Sequence, residues 1–301
     1  MNNKDFALSN EKKCFRIVAV TGPTATGKTR LAVQLAQLFN GEIISVDSRQ
    51  VYRNMDIGTG KDLSDYGSIP YHLIDIADPA TEVYDLARFL KDAFNAIEEV
   101  SRKGKLPILC GGTALYLEAL LKGFQLPGGK LPPRSAGSHR VRQNTQQEDS
   151  FVPPAALDAL VLGVYYPRTV VRERIRRRLD ARINEGMISE AENLLKNGVT
   201  LQQMQFFGLE YRELALLLEG KQSKEEMRNQ LLNKIRQFAK RQDIFFRKME
   251  RENIPIHWLH EGDPDKAQIL VRDFLDNKTI PPPDLQLINI TNDPKAARFE
   301  K

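Results

Sequence analysis

The residues best suited to chemistry are Thr21-Gly22-Pro23-Thr24-Ala25-Thr26-Gly27-Lys28-Thr29, which carry the spacing G-x-x-x-x-G-K-[ST]. Glycines let backbone N–H groups close round an anion, and a helix starting there adds its partial positive end. Lys28 supplies a point charge, and the Thr29 hydroxyl can hold a phosphate-borne Mg²⁺. The flanks suit the motif. Ile17 to Val20 reads as a buried strand, and Leu31, Leu35 and Leu38 recur at helical spacing beside Ala32, Ala36 and Phe39.

A second strand, Glu42 to Val46, delivers Asp47-Ser48-Arg49-Gln50-Val51-Tyr52. A carboxylate after four mostly apolar residues has two readings. It is either the acidic residue that assists Mg²⁺ in a nucleotide hydrolase, or a base aimed at a substrate amine beside the phosphate site. Position alone leaves both open. Met55 to Lys61, with two glycines and a lysine, is a candidate substrate loop. Tyr71 to Ile76 reads as a short strand, and its His72 is expected to be structural rather than catalytic. A helix is expected over Tyr84–Gly104, with Phe89, Ala93 and Ile97 inward. The strand Leu106 to Cys110 runs directly into Gly111-Gly112-Thr113 and a further helix ending at Gly123. In open parallel sheets ligands gather at the carboxyl ends of strands. Thr24, Asp47 and Thr113 all lie at such ends, so one cleft could collect them.

The totals bound the class. The chain has 301 residues, 41% of them hydrophobic, enough for a sizeable core. Net charge is +5. Cys14 and Cys110 fit no metal spacing, which agrees with a reducing, cytoplasmic setting. Residues 1–13 are polar and of mixed charge, so they read as a frayed tail without a leader. No apolar run approaches the ~20 residues of a membrane span.

Composition shifts at Gln125 to Pro154, which is rich in Gly, Pro, Ser and Gln and is expected to be a mobile linker. Leu160 to Tyr166 reads as a strand. From Arg168 a helix places Val171, Ile175, Leu179 and Ile183 on a core face, with Arg168, Arg172, Arg174, Arg176, Arg177, Arg178 and Arg182 between them. Phe207 to Glu213 leads into a helix ending at Gly220. Ser223 to Glu226 forms a capping box for a long helix. Its buried side is read as Met227, Leu231, Ile235, Phe238, Phe245 and Met249, and its exposed side as Arg236, Lys240, Arg241, Arg247, Lys248 and Arg251. Two basic helices near a phosphate site suggest an RNA backbone or a polyphosphate. Ile256 to Leu259 is a last strand, Asp265 to Asp276 a surface helix, and the stretch from Lys278 a loose tail. The fold class is therefore α/β: a nucleotide-hydrolase-like parallel sheet flanked by helices, with a helical C-terminal part. The core spans 14–123 and 156–262, residues 124–155 form the linker, and 263–301 lie outside.

Several stretches together resemble the tRNA dimethylallyltransferases: Gly22–Thr29, Asp47–Tyr52, Met55–Thr59, His72–Ile76, Gly111–Thr113, Gly208–Glu213 and Ala239-Lys240-Arg241-Gln242. The resemblance covers roughly 15–123 and 160–260. It implies transfer of a dimethylallyl group from dimethylallyl diphosphate to N6 of an adenine in the tRNA anticodon loop. It further implies that Gly22, Pro23, Thr24, Ala25, Thr26, Gly27, Lys28 and Thr29 grip the diphosphate with Mg²⁺. Asp47 would accept from the adenine amine and take its proton. Thr24 and Thr113 would line the channel, and Arg174 would neutralise the leaving diphosphate. Ser48, Arg49, Gln50, Lys240 and Arg241 would contact the RNA. The family's helical insertion has no counterpart in 125–154. Transfer to free AMP, ADP or ATP, a phosphate-loop kinase or ATP hydrolase, and an inactive remnant stay open beside the tRNA reading. A monomer suffices for any of them.

Overall fold

Apolar runs bounded by turn residues pair as parallel strands wherever helices can cover both faces. In the computed structural model, which describes residues 13–124 and 151–290, six such strands form one sheet. They are β1 (Cys14–Thr21), β2 (Gly41–Ser45), β3 (Tyr71–His72), β4 (Leu106–Cys110), β5 (Ala156–Tyr165) and β6 (His257–His260), in the order β3-β2-β4-β1-β5-β6. Every pairing is parallel, with Val18 opposite Ile108 on one side and Leu160 on the other.

The two-residue alternation of β1 feeds two cores. Ile17 and Ala19 face one, Val18 and Val20 the other. The second core lies under α1 (Lys28–Leu38) and α9 (Pro264–Leu275). The first is larger. It takes α2 (Leu86–Arg102), α3 (Ala114–Leu121), α4 (Arg168–Glu185), α5 (Met187–Lys196), α6 (Leu201–Met204), α7 (Leu209–Leu218) and α8 (Lys224–Arg251). Ser223 and Glu226 form the expected capping box at the head of α8.

Several expectations need correction. The strand at Tyr71 stops after His72, because Leu73 and Asp75 adopt left-handed φ and Ile76 N–H returns to Val51 O. His72 pairs with Glu42 at 2.8 Å, a structural contact. On α8 the buried stripe is Met227, Leu231, Ile235, Ala239, Gln242, Phe246 and Met249; Phe238 is exposed and Phe245 only half-buried. Over 28 residues a 3.6-residue period drifts away from the apolar pattern, so the stripe passes through a glutamine. The helix at 264–275 is more than a surface element, since Ala267, Leu270, Val271 and Phe274 seal the second core. Residues near 287 are docked rather than loose. Glu250 accepts from Trp258 Nε1 at 2.7 Å and from the Leu287 and Ile288 N–H groups at 3.0 and 2.9 Å, and Leu287 is buried. Of the linker expected at 124–155, residues 125–150 lie outside the described residues, as does the N-terminal tail before residue 13, while at its end Phe151 packs on Phe94 and Ala155 is buried.

Candidate active site

The loop from Gly22 to Gly27 connects β1 to α1. A Cβ on Gly22, whose φ is +142°, would sit 2.8 Å from Val164 O, so only glycine lets the chain leave β1 beside β5. Ala25 holds φ near +63°, a strained value for a residue with a Cβ. Lys28 Nζ donates to Pro23 O at 2.7 Å, and Thr26 Oγ1 donates to the same carbonyl at 2.9 Å. The lysine thus folds over the loop that an anion would fill. Burial lowers its pKa to about 8, with Arg178 adding to the effect and Cys110 and Asp47 opposing it.

Asp47 follows β2 in the same cleft. Its Oδ1 accepts from Arg49 N–H at 2.8 Å and Gln50 N–H at 3.3 Å, which fixes the side chain in a turn of its own making. Burial raises its pKa, opposed by those two bonds and by the charges of Arg49 and Lys28. Thr113 Oγ1, at the head of α3, accepts from Ser48 N–H at 3.3 Å. A Cβ on Gly111 would overlap Val46 O, so glycine is what allows the ends of β2 and β4 to meet. The carboxyl ends of β1, β2 and β4 therefore gather Thr24, Asp47 and Thr113 in one cleft.

What joins them is Gln242. Its Oε1 accepts from Thr24 N–H at 2.9 Å, and its Nε2 donates to Gly112 O at 2.8 Å. One buried amide on α8 ties the anion loop to the Gly111-Gly112-Thr113 turn. The signal in the sequence was a polar residue on the apolar stripe of a helix, inside the Ala239–Gln242 motif. Two further groups, Glu190 and Arg178, were not named among the expected site residues. Glu190 on α5 accepts from the N–H groups of Asp56, Ile57 and Gly58 at 2.7, 2.7 and 2.9 Å, and from Tyr211 OH at 2.6 Å, holding the 55–61 loop. Arg178 donates to Asp62 at 2.8 Å and lines a small cleft with Thr24, Arg182 and Glu210.

Other residues are placed differently from expectation. The Gln50 amide is engaged internally, accepting from Ser45 Oγ at 3.0 Å and donating to Gly60 O at 3.1 Å, so it shapes the 55–61 loop. Arg174 stacks on the Tyr166 ring at 4.3 Å and leaves its buried Nη1 without a partner among the described residues; the charge felt by Lys28 is that of Arg178, one turn on. Lys240 and Arg241 are both exposed but lie on different flanks of α8. Lys240 lines a cavity of about 390 Å³ beside Pro23, walled by Arg168, Arg172, Arg236 and Arg247 and floored by Trp258. Arg241 is not part of that wall.

The Thr29 hydroxyl lies beside the Cys110 thiol, opposing the rise that burial gives the thiol's pKa, and a thiol is a weak partner that a hard cation could displace. Among the described residues no cluster of three acidic, His or Cys side chains could hold a metal. The donors therefore fit Mg²⁺ only with most of its ligands coming from phosphate and water. Among the described residues no helix is long and apolar enough to cross a membrane.

Comparison with known proteins agrees with this layout. The family model described as IPP transferase matches residues 50–151 and 134–249, and that described as isopentenyl transferase matches 15–66. A tRNA dimethylallyltransferase of Geotalea daltonii is 43% identical over 292 residues, covering 85% of this chain and 94% of that protein. The crystal structure of the tRNA isopentenylpyrophosphate transferase of Bacillus halodurans superposes with a TM-score of 0.69 at 30% identity, over 89% of this chain and 96% of that one. A eukaryotic dimethylallyltransferase crystallised acting on tRNA gives 0.72 at 25% identity, over 94% and 83%. With these motifs on one sheet edge and relatives matched over nearly their whole length, the chain belongs to the IPP transferase family, that of the tRNA dimethylallyltransferases.

Proposed function

We propose that this protein transfers a dimethylallyl group from dimethylallyl diphosphate to N6 of an adenine in the anticodon loop of tRNA, releasing diphosphate. One observation carries the reading: a half-buried carboxyl, Asp47, lies within electrostatic reach of Lys28, on a cleft whose two sides are joined by Gln242.

The steps follow from the residues. The diphosphate sits in the N–H cradle of Thr24 to Thr29 and draws Lys28 from Pro23 O onto its own oxygens. Thr29, together with the diphosphate, would hold Mg²⁺, which would supply further positive charge at the leaving group. Breaking the C1–O bond of an allylic diphosphate leaves charge on the diphosphate, and stabilising that charge is the larger demand. Lys28 and Arg178 meet it, and Arg174 adds a further positive charge. As the N6–C1 bond forms, Asp47 takes one N6 proton; its raised pKa makes it a better base than an ordinary carboxylate. Nothing in this chemistry consumes ATP. The adenine must leave its stack to reach the cleft. Ser48, Arg49, Lys240 and Arg241 then meet the RNA, consistent with a basic chain of net charge +5. The enzyme acts as a cytoplasmic monomer.

The test is an incubation of labelled dimethylallyl diphosphate with unmodified tRNA, with AMP, or with neither. Label on tRNA supports the proposal. Label on AMP instead replaces tRNA by a free nucleotide, phosphate release from ATP without transfer indicates a kinase or ATP hydrolase, and no reaction indicates a protein that only binds.

A further inference from the structure

The motif Gly208 to Glu213 contains a carboxyl with no part in the scheme above. Glu210 stands in the first turn of α7, half-buried, and lines the small cleft that also holds Thr24, Arg178 and Arg182. The remaining walls are apolar: Ile175, Leu179, Met187 and Ile235. Among the described residues its carboxyl makes no side-chain hydrogen bond or ion pair, and its one hydrogen bond is with its own N–H. A Cβ on Gly208 would lie 3.7 Å from both Glu210 Oε2 and Arg49 Nε, so these groups flank one point on the acceptor side.

We propose that Glu210 is the residue that reads the edge of the target adenine, next to the amine that Asp47 deprotonates. The inference rests on the proposed acceptor. The donor is an anion held by the cradle, and a neutral carboxyl in the same cleft brings one acceptor and one donor rather than a charge. Its complement is a neutral partner that presents a donor beside an acceptor. Adenine presents one N6–H to Asp47, leaving the second N6–H beside a ring nitrogen, N1 or N7. A neutral carboxyl matches that pair: its C=O accepts from N6–H and its O–H donates to the ring nitrogen. Guanine, with a carbonyl in place of the amine, offers the reverse pattern beside N1 and two acceptors beside N7. Burial keeps Glu210 neutral to higher pH than an ordinary carboxyl, and Asp47 adds to this. The groups facing it are Asp47 and Arg49 after β2 and Arg178 and Arg182 on α4, with the two α4 arginines opposing the shift.

The competing role is a charge at a helix N-terminus or beside Arg182, and a glutamine separates the two. Gln carries no charge but pairs with adenine as a neutral carboxyl does. The assay uses an anticodon stem-loop RNA as acceptor with steady-state prenyl transfer. For Glu210→Ala the acceptor KM is expected to rise roughly 5- to 150-fold, the range of one bidentate base contact, with donor KM unchanged. Glu210→Gln should stay within about 3-fold of wild type. Its acceptor KM should also stay flat on raising the pH, where the wild-type value climbs as Glu210 ionises. Stem-loops with 1-deazaadenosine or 7-deazaadenosine at the target identify the ring nitrogen: one of them should raise the acceptor KM for wild type but not raise it further for Glu210→Ala. The inference is overturned if Ala and Gln variants lose activity equally, if acceptor KM is unmoved in Glu210→Ala, or if both deaza substrates behave alike. Those results leave prenyl transfer by the wild type intact, whereas a wild type that does not label the stem-loop at all overturns the proposed function as well.

Discussion

Replacing Gln242 by leucine tests the joint between the anion loop and the acceptor turn. The side-chain volume is nearly kept, but Thr24 N–H and Gly112 O lose their partners at 2.9 and 2.8 Å. Each stranded buried group costs about 1–3 kcal/mol, partly offset by the added apolar contact. The net expectation is a loss of about 2–4 kcal/mol, or about 5–10 °C in Tm for a domain of this size. Because Thr24 opens the cradle, the loop should also loosen, and a misplacement near 1 Å costs up to about 100-fold in rate. Gln242→Glu sharpens the test. One oxygen still accepts from Thr24 N–H, but the other meets the Gly112 carbonyl oxygen, so this variant should be the worse of the two at neutral pH and recover on acidification. Thermal unfolding together with donor KM and kcat reads both variants. If Gln242→Leu matches wild type in Tm and donor KM, the amide does not hold the loop and the reasoning fails.

Other expectations follow from the same geometry. Asp47→Asn should lower kcat by about 10²- to 10⁴-fold, the usual contribution of a positioned base, while equilibrium binding of dimethylallyl diphosphate stays near wild type; retained turnover would remove Asp47 from the proton path. The pH profile should be bell-shaped. As pH falls, activity is lost when Asp47 takes a proton, and its raised pKa places that limb above the ordinary carboxylate range. As pH rises, donor kcat/KM should fall from about 8, where Lys28 loses its charge in the free enzyme; an alkaline limb near the ordinary lysine value would contradict its burial. Gly111→Ala should destabilise by about 1–3 kcal/mol or more through overpacking against Val46 O, measurable by denaturant unfolding.

The sequence by itself was enough for the elements whose signals are local. The phosphate loop, the five-residue strand Leu106–Cys110 and the capping box at Ser223 depend on neighbours within a few positions, so spacing and residue type specify them. Asp47 and Thr113 could be expected in one cleft because strand ends in a parallel sheet converge. What local pattern could not reach were partnerships across long separations. Gln242 meets Thr24 across 218 residues of chain, and Glu190 meets the 56–58 N–H groups from more than 130 residues away. The same holds for the bond of Gln50 to Gly60 and for the docking of Leu287 on Glu250. A polar side chain finds its buried partner only after helices have packed on the sheet, because desolvation makes the choice and burial is a property of the whole fold. Residue types along the chain determined the kind of chemistry available here; the packing of α4, α5, α7 and α8 against the strand ends decided which side chains meet in the cleft.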